Sequence, residues 1–401
     1  MHTPYGHLSY CTNIHPGEDW AGHFAQLQQH VPAIKKRLCP GAPFGIGLRL
    51  ANKASLDLQD AGMLDAFKAW LQQEGCYVFT MNGFPYGGFH HTVVKADVHT
   101  PDWLTEDRVA YTIRLAEILA QLLPAGEEGS ISTNPLSYRY WHEANKYAAV
   151  FEKGTHNLLR VVAALVGIKQ KNGVLIHIDL EPEPDGMMET GPEFINWFKQ
   201  YLLPLGVPFL QKELGLDAAA ADAALREHVR LCFDICHFAI GFEDYEAVLR
   251  EMEQEGIRTG KIQVSAALRR ELPADAAELK TVLDAFARFN EPVYLHQVIA
   301  RQEDGSLVRF RDLPEALAAN QDAATEWRAH YHVPLFAAEY GILHSTQPDI
   351  ERVLELHKQQ PFATHLEVET YTWDVLAEDL KLPIIDSIVR ELEWVLGKIN
   401  S

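Results

Sequence analysis

Residues 174–184 read VLIHIDLEPEP, and their side chains alternate strictly. Val174, Ile176, Ile178 and Leu180 fall on one face of an extended strand, and His177, Asp179 and Glu181 fall on the other. A parallel strand sandwiched between two helical layers is apolar on both faces. One face of His, Asp and Glu instead suits a β/α barrel, in which helices cover the outside and reactive groups gather at the C-terminal ends of the inner faces. Glu181 is the last residue of the polar face, and Pro182 and Pro184 then end the ladder. A carboxylate at that lip is placed to hold a metal or move a proton.

The remaining strands repeat the theme. LSYCTNIHPGE puts Ser9, Cys11, Asn13 and His15 on one face, PFGIGLRLA follows, CYVFTMN ends at Asn82 and SISTNP ends at Asn134. After the anchor strand come RLCFDICH, KIQVSAAL with Lys261, Gln263 and Ser265 inward, and THLEVETYTW with His365, Glu367, Glu369 and Tyr371 inward. Runs of helical periodicity separate them as barrel helices, among them residues 20–38, 105–123, 245–254, 274–289 and 384–399. Alternating strands and helices predict an α/β fold, a (β/α)8 barrel over residues 1–401 as one domain. An insertion of about 291–343 precedes the last strand and contains a hairpin turned at Glu303-Asp304-Gly305. No GxGxxG follows the first strand and no Walker sequence occurs, which disfavours an open doubly wound sheet. Residues 83–103, GFPYGGFHHTVVKADVHTPDW, are too aromatic for a disordered loop and read as a lid or pocket wall.

Four polar residues recur late on their strands: Glu181, Asp234, Gln263 and Glu369. Three carboxylates and an amide oxygen are hard ligands, suited to one divalent ion such as Mn, Mg, Co or Zn. Without a cation the carboxylates repel and their pKa values rise. Glu181 and Glu369 are also the expected acid–base pair, and Glu339 in FAAEYG is the rival to Glu369 as the last metal ligand. His237 follows Asp234 by three residues, so the chain bends there to bring His237 to the same site, where it orients a substrate oxygen or supports the metal-bound Asp234. Asn13, His15, Asn82 and Asn134 end strands where substrate hydroxyls are read, and loop capping explains each of the four equally well; His296 in YLHQV, whose direction the insertion leaves open, is a further candidate. Cys232 and Cys236 read as small barrel fillers, and Glu183, Asp185 and Glu189 as solvated. No GxSxG, HExxH or CxxC occurs, so neither a serine triad nor a structural zinc is supported.

With 35 Lys and Arg against 55 Asp and Glu, the net charge is −20, which argues against nucleic-acid backbones and anionic membranes. No run of 18 apolar residues exists, and MHTPYGHLSYC lacks a signal-peptide pattern. Five cysteines, an odd number without framework spacing, suit a reducing cytoplasm. The expected partner is a small polar metabolite, with no membrane insertion; a homo-oligomer is compatible with the chain.

The ordered set LEP (Glu181), FDxxH (Asp234, His237), KIQVS (Gln263) and LEVE (Glu369) resembles the xylose-isomerase-like TIM barrels: sugar isomerases, ketose epimerases, inosose and dehydroshikimate dehydratases, and endonuclease IV. Epimerases of that superfamily usually carry His at the third ligand position, so Gln263 is closer to the dehydratases. Nearly the whole chain, through YCTNIHPGE, NGFPYGGFH, TPDW, KIQVSAAL and THLEVETYTWD, resembles the ebo-cluster metabolite-traffic protein EboE family. The resemblance implies the handling of a secondary metabolite or its precursor. Together these features imply a metal-dependent isomerase, epimerase or dehydratase of sugars or cyclitols, working through a metal-stabilised enediolate. A non-catalytic metabolite carrier on the same barrel is the alternative. An endonuclease-IV-like nuclease is disfavoured by the charge and by the lack of the several histidines a multi-zinc cluster requires.

Overall fold

The computed structural model describes residues 1–401 except positions 91, 322 and 377–380. Eight parallel strands stand in chain order around a ring: Gly6–Tyr10, Phe44–Arg49, Cys76–Asn82, Gly129–Thr133, Ile176–Leu180, Val229–Asp234, Thr259–Val264 and His365–Val368. The eighth pairs in parallel with both the seventh and the first. Between the first and second strands the ladder shrinks to one bridge, Cys11 to Gly47. There the Ser9 hydroxyl substitutes for the backbone, donating to the Gly45 carbonyl at 2.7 Å and accepting from the Gly47 N–H at 3.0 Å. Helices cover the outside, beginning with Trp20–Leu38 and ending with Ile384–Asn400. The expected (β/α)8 barrel is therefore the observed fold. Among the described residues no helix is long and apolar enough to cross a membrane.

The barrel interior is polar, and in its middle layer a buried lysine and a buried glutamate pair, as burial demands. Lys261 donates to Glu367 Oε2 at 2.7 Å and to the Ser132 hydroxyl at 3.2 Å, and both charged side chains are fully buried. His177 Nδ1 lies 2.6 Å from Asp179 Oδ1. Two glycines make room for these carboxylates. A Cβ on Gly47 would stand 1.8 Å from Glu367 Oε1, and one on Gly260 would stand 1.9 Å from Asp179 Oδ1. Strand position alone places both; any larger residue would displace a paired charge.

Three local expectations change. The first strand ends at Tyr10, and Thr12–Ile14 form a turn of 3-10 helix, so the alternation expected through His15 stops. The insertion is larger than 291–343. A six-stranded antiparallel sheet runs from Leu268–Glu271 to Leu343–Ser345, leaving and rejoining the barrel at the C-terminal end of the seventh strand. Ala276–Ala287, read as a barrel helix, packs instead within this insertion, and Gln347–Gln359 covers the barrel. Helical periodicity shows that one face is buried, not against which sheet. Position 322 of the insertion lies outside the described residues. The expected hairpin is present, pairing Val298–Gln302 with Leu307–Phe310 across Gly305.

Residues 83–103 form a pocket wall, with position 91 outside the described residues. The buried Arg108 ties both ends of the loop, donating to the carbonyls of Gly83 at 2.6 Å, Phe84 at 3.0 Å and Pro101 at 2.7 Å. Gly260→Ala is expected to destabilise the protein by about 3 kcal/mol or more through forced displacement of Asp179, measured by denaturant unfolding. An unchanged midpoint would contradict the tight fit of this polar layer.

Candidate functional site

Glu181 follows the fifth strand, Asp234 ends the sixth and Glu369 follows the eighth, so the ring brings three strand ends together. One carboxylate oxygen from each lies within 4.8 Å of the others, and all three residues are buried. Burial first, then the charge of Asp234, pushes the Glu181 carboxyl well above the usual range. Burial, then Glu181 and Asp234, does the same to Glu369. A cation between them would cancel the mutual repulsion.

Hydrogen bonding fixes how each ligand presents itself. Asn13 and Asn82 both donate their amides to Glu369 Oε1, at 2.8 and 2.7 Å. Asp234 Oδ1 accepts from the Ser265 hydroxyl at 2.6 Å and from the His237 N–H at 3.2 Å, capping the helix Ile235–Ile240. That cap is the bend the Asp234–His237 spacing requires. Among the described residues Asp234 Oδ2 has no hydrogen-bond partner, and it is buried.

The histidines follow from a proton chain read off the same network. Gln297 donates Nε2 to the Pro184 carbonyl at 3.2 Å, so its Oε1 accepts from His330 Nδ1 at 2.8 Å. His330 Nε2 is then bare and accepts from His237 Nε2 at 3.2 Å. His237 is left with a bare Nδ1, 3.5 Å from Glu181 Oε1 and 4.0 Å from Asp234 Oδ1. His332 donates Nδ1 to the Glu369 carbonyl at 3.0 Å, leaving Nε2 bare and buried, with no partner among the described residues. Asp234, His237 and His332 also bring one ligand atom each within 4.8 Å of the others. Burial pushes the pKa of His237 and His332 down, keeping both imidazoles neutral and able to ligate. Three lone-pair atoms with no donor among the described residues, beside two further carboxylates, form a donor set that a divalent cation satisfies. Two imidazoles with carboxylates favour Mn, Co or Zn over Mg.

The expected residues divide as follows. Glu181, Glu369, His237, Asn13 and Asn82 line one pocket with about 580 Å³ of free space, its open mouth included, and Asp234 lies beneath it. Gln263 stands level with Asp234 and Glu367 in register; its Oε1 accepts from the Cys232 thiol at 3.0 Å. Glu339 is exposed, on the rim of the inserted sheet. Three residues expected to read substrate hydroxyls do not line the pocket. His15, past the end of its strand, lies 3.0 Å from the Tyr10 hydroxyl and stacks on His30. Asn134 spends its amide on the His99 carbonyl at 3.1 Å. His296 is held by Glu291 at 2.7 Å and by the His330 carbonyl at 2.8 Å, behind the site.

Glu183, Asp185 and Glu189, expected in solvent, are buried. Glu183 lines the pocket, its carboxyl pushed well up by burial and then by Asp185, with Oε1 3.1 Å from His99 Nε2. His99, held neutral by burial with a pKa lowered to about 3, comes from the 83–103 wall. His330 and His332 come from the insertion; HYH in the sequence was the available signal, but nothing local ties it to the barrel. With His237, they supply histidines whose absence had counted against a nuclease; the −20 charge still does. The upper walls are apolar and aromatic, including Phe84, Phe89, Tyr294 and Tyr371.

No family model matches the chain, and no curated protein matches it in sequence. Similar solved structures include the IolI protein with a bound zinc atom, at 13% identity over 98% of each chain with a TM-score of 0.49. Another is L-ribulose 3-epimerase, at 11% identity over 98% of this chain and 94% of that one, TM-score 0.48. A third is the probable 3-DHS dehydratase AsbF, involved in petrobactin synthesis, from Bacillus anthracis, at 11% identity over 97% and 98%, TM-score 0.45. At these scores the likeness assigns this chain no ligand and no reaction.

Asn82→Ala is expected to weaken Mn²⁺ binding about 10- to 100-fold by releasing Glu369, and Asp234→Asn to abolish it, both read by isothermal titration. Wild-type affinity in both variants would remove the metal centre.

Proposed function

We propose that this protein is a divalent-metal-dependent enzyme of the isomerase, epimerase or dehydratase type, acting on a small polyhydroxylated or cyclitol-like metabolite. The observation that carries this is the buried convergence of Glu181, Asp234 and Glu369 with the bare nitrogens of His237 and His332 under a pocket. A divalent cation held there supplies a Lewis acid that bears the charge developing when a proton leaves the carbon beside a carbonyl.

The chain's own groups do the rest. Asn13 and Asn82 hold Glu369 in one orientation, so its carboxylate does not swing as charge develops. Glu181 or Glu369 serves as base beside the cation, as expected from their strand ends. Glu183, outside the ligand cluster but lining the pocket, is an acid–base group that returns a proton to carbon or protonates a departing hydroxyl. Return to carbon gives isomerisation or epimerisation; loss of a β-hydroxyl gives dehydration. Phe84, Phe89 and Tyr371 keep bulk water from the reacting atoms. The motif resemblance to the EboE family supports a substrate from secondary metabolism.

The test is a turnover screen of polyols, ketoses and cyclitols with Mn²⁺, Co²⁺, Zn²⁺ or Mg²⁺ added. Conversion that depends on the metal is expected, with Glu183→Gln lowering kcat by about 100-fold or more at unchanged metal content. Tight binding without conversion of any bound compound would overturn the enzyme reading and select a metabolite carrier.

A further inference from the structure

The opposite, N-terminal mouth of the barrel gathers a second set of metal-ligand side chains. The strand His2–Thr3 folds back antiparallel on the first barrel strand, placing His2 directly opposite His7. Opposed residues of an antiparallel pair share a face, and the two ring centroids lie 4.5 Å apart. Gly6 turns this hairpin at φ +126°, where a Cβ would meet the Thr364 carbonyl oxygen at 2.5 Å. Another residue at position 6 would spoil the histidine pairing.

Glu127, in the turn leading to the fourth strand, brings Oε2 to 3.0 Å from His7 Nε2. One ligand atom each from His2, His7 and Glu127 lies within 4.8 Å of the others. A second observation points the same way. His365 is 1% exposed, its Nδ1 has no hydrogen-bond partner among the described residues, and it lines the same open cavity as these three residues. Its ring centroid is 6.1 Å from that of His7. His7 Nδ1 lies 2.8 Å from the Tyr77 hydroxyl, the kind of outer partner that fixes a ligating imidazole.

We propose that His2, His7 and Glu127 bind a transition-metal dication, with His365 facing it across the cavity. Imidazoles with one carboxylate suit zinc. His7 Nε2 and Glu127 Oε2 are hydrogen-bonded at 3.0 Å, close to the roughly 3.3 Å that separates two ligands of one tetrahedral ion at bond lengths of about 2.0–2.1 Å, so an ion can replace the shared proton with little movement. The ion ties the N-terminal hairpin to the turn before the fourth strand, a staple across the barrel floor. That end of a β/α barrel serves stability rather than reaction. The inference does not depend on the proposed activity.

Zinc binding by equilibrium dialysis, with thermal denaturation, tests it on the full chain. Glu127→Gln is expected to bind one zinc ion fewer than wild type and to lose part of the zinc-induced rise in Tm. His2→Ala, at an exposed position, weakens the same equivalent about tenfold or more without changing the Tm of the zinc-free protein. Glu369→Gln, at the other mouth, retains that equivalent. Wild-type stoichiometry and affinity in both Glu127→Gln and His2→Ala would overturn the proposal, as would loss of that equivalent in Glu369→Gln.

Discussion

Three buried lone-pair atoms with no donor among the described residues, Asp234 Oδ2, His237 Nδ1 and His332 Nε2, set the terms for the upper half of this barrel. An unpartnered buried acceptor costs about 1–3 kcal/mol, and here three stand beside Glu181 and Glu369. The surroundings do not relieve that cost; they maintain it. Ser265 and the His237 N–H occupy the other oxygen of Asp234, and the Pro184–Gln297–His330 chain directs the His237 proton away from the carboxylates. A network that spends its donors on orienting acceptors is organised around a positive charge.

The layers beneath behave differently. Lys261 and Glu367 neutralise each other in the middle of the barrel, and Gly47 and Gly260 are small because carboxylates occupy the space a side chain would need. That layer isolates the two mouths of the barrel. At the C-terminal mouth the donor set opens into a pocket; at the N-terminal mouth His2, His7 and Glu127 face an open cavity over the strand starts. The same ring of strands therefore presents two chemically distinct ends from one set of alternating inward residues.

Much of this was legible in the sequence because a barrel converts chain order into position. Strand alternation placed Glu181, Asp234 and Glu369 at matched ends, and the ring then had to bring them together. Alternation failed where the backbone left the strand. His15 follows a 3-10 turn, and Glu183 follows Pro182, so a residue read as solvated lies buried in the pocket. His330 and His332 follow a strand of an antiparallel sheet whose internal pattern carries no information about its docking on the barrel. Of the two imidazoles that bear on the metal preference, His237 was found from its spacing to Asp234, and His332 was the one periodicity could not find. Asn13 and Asn82 were found by position, yet in this structure they hold a carboxylate.

The most direct measurement is anomalous X-ray diffraction from crystals soaked in Mn²⁺. The account predicts a strong anomalous peak within about 2–2.5 Å of carboxylate oxygens of Glu181, Asp234 and Glu369 and close to His237 or His332. No peak among these residues at saturating Mn²⁺, with their side chains otherwise as described, would contradict it.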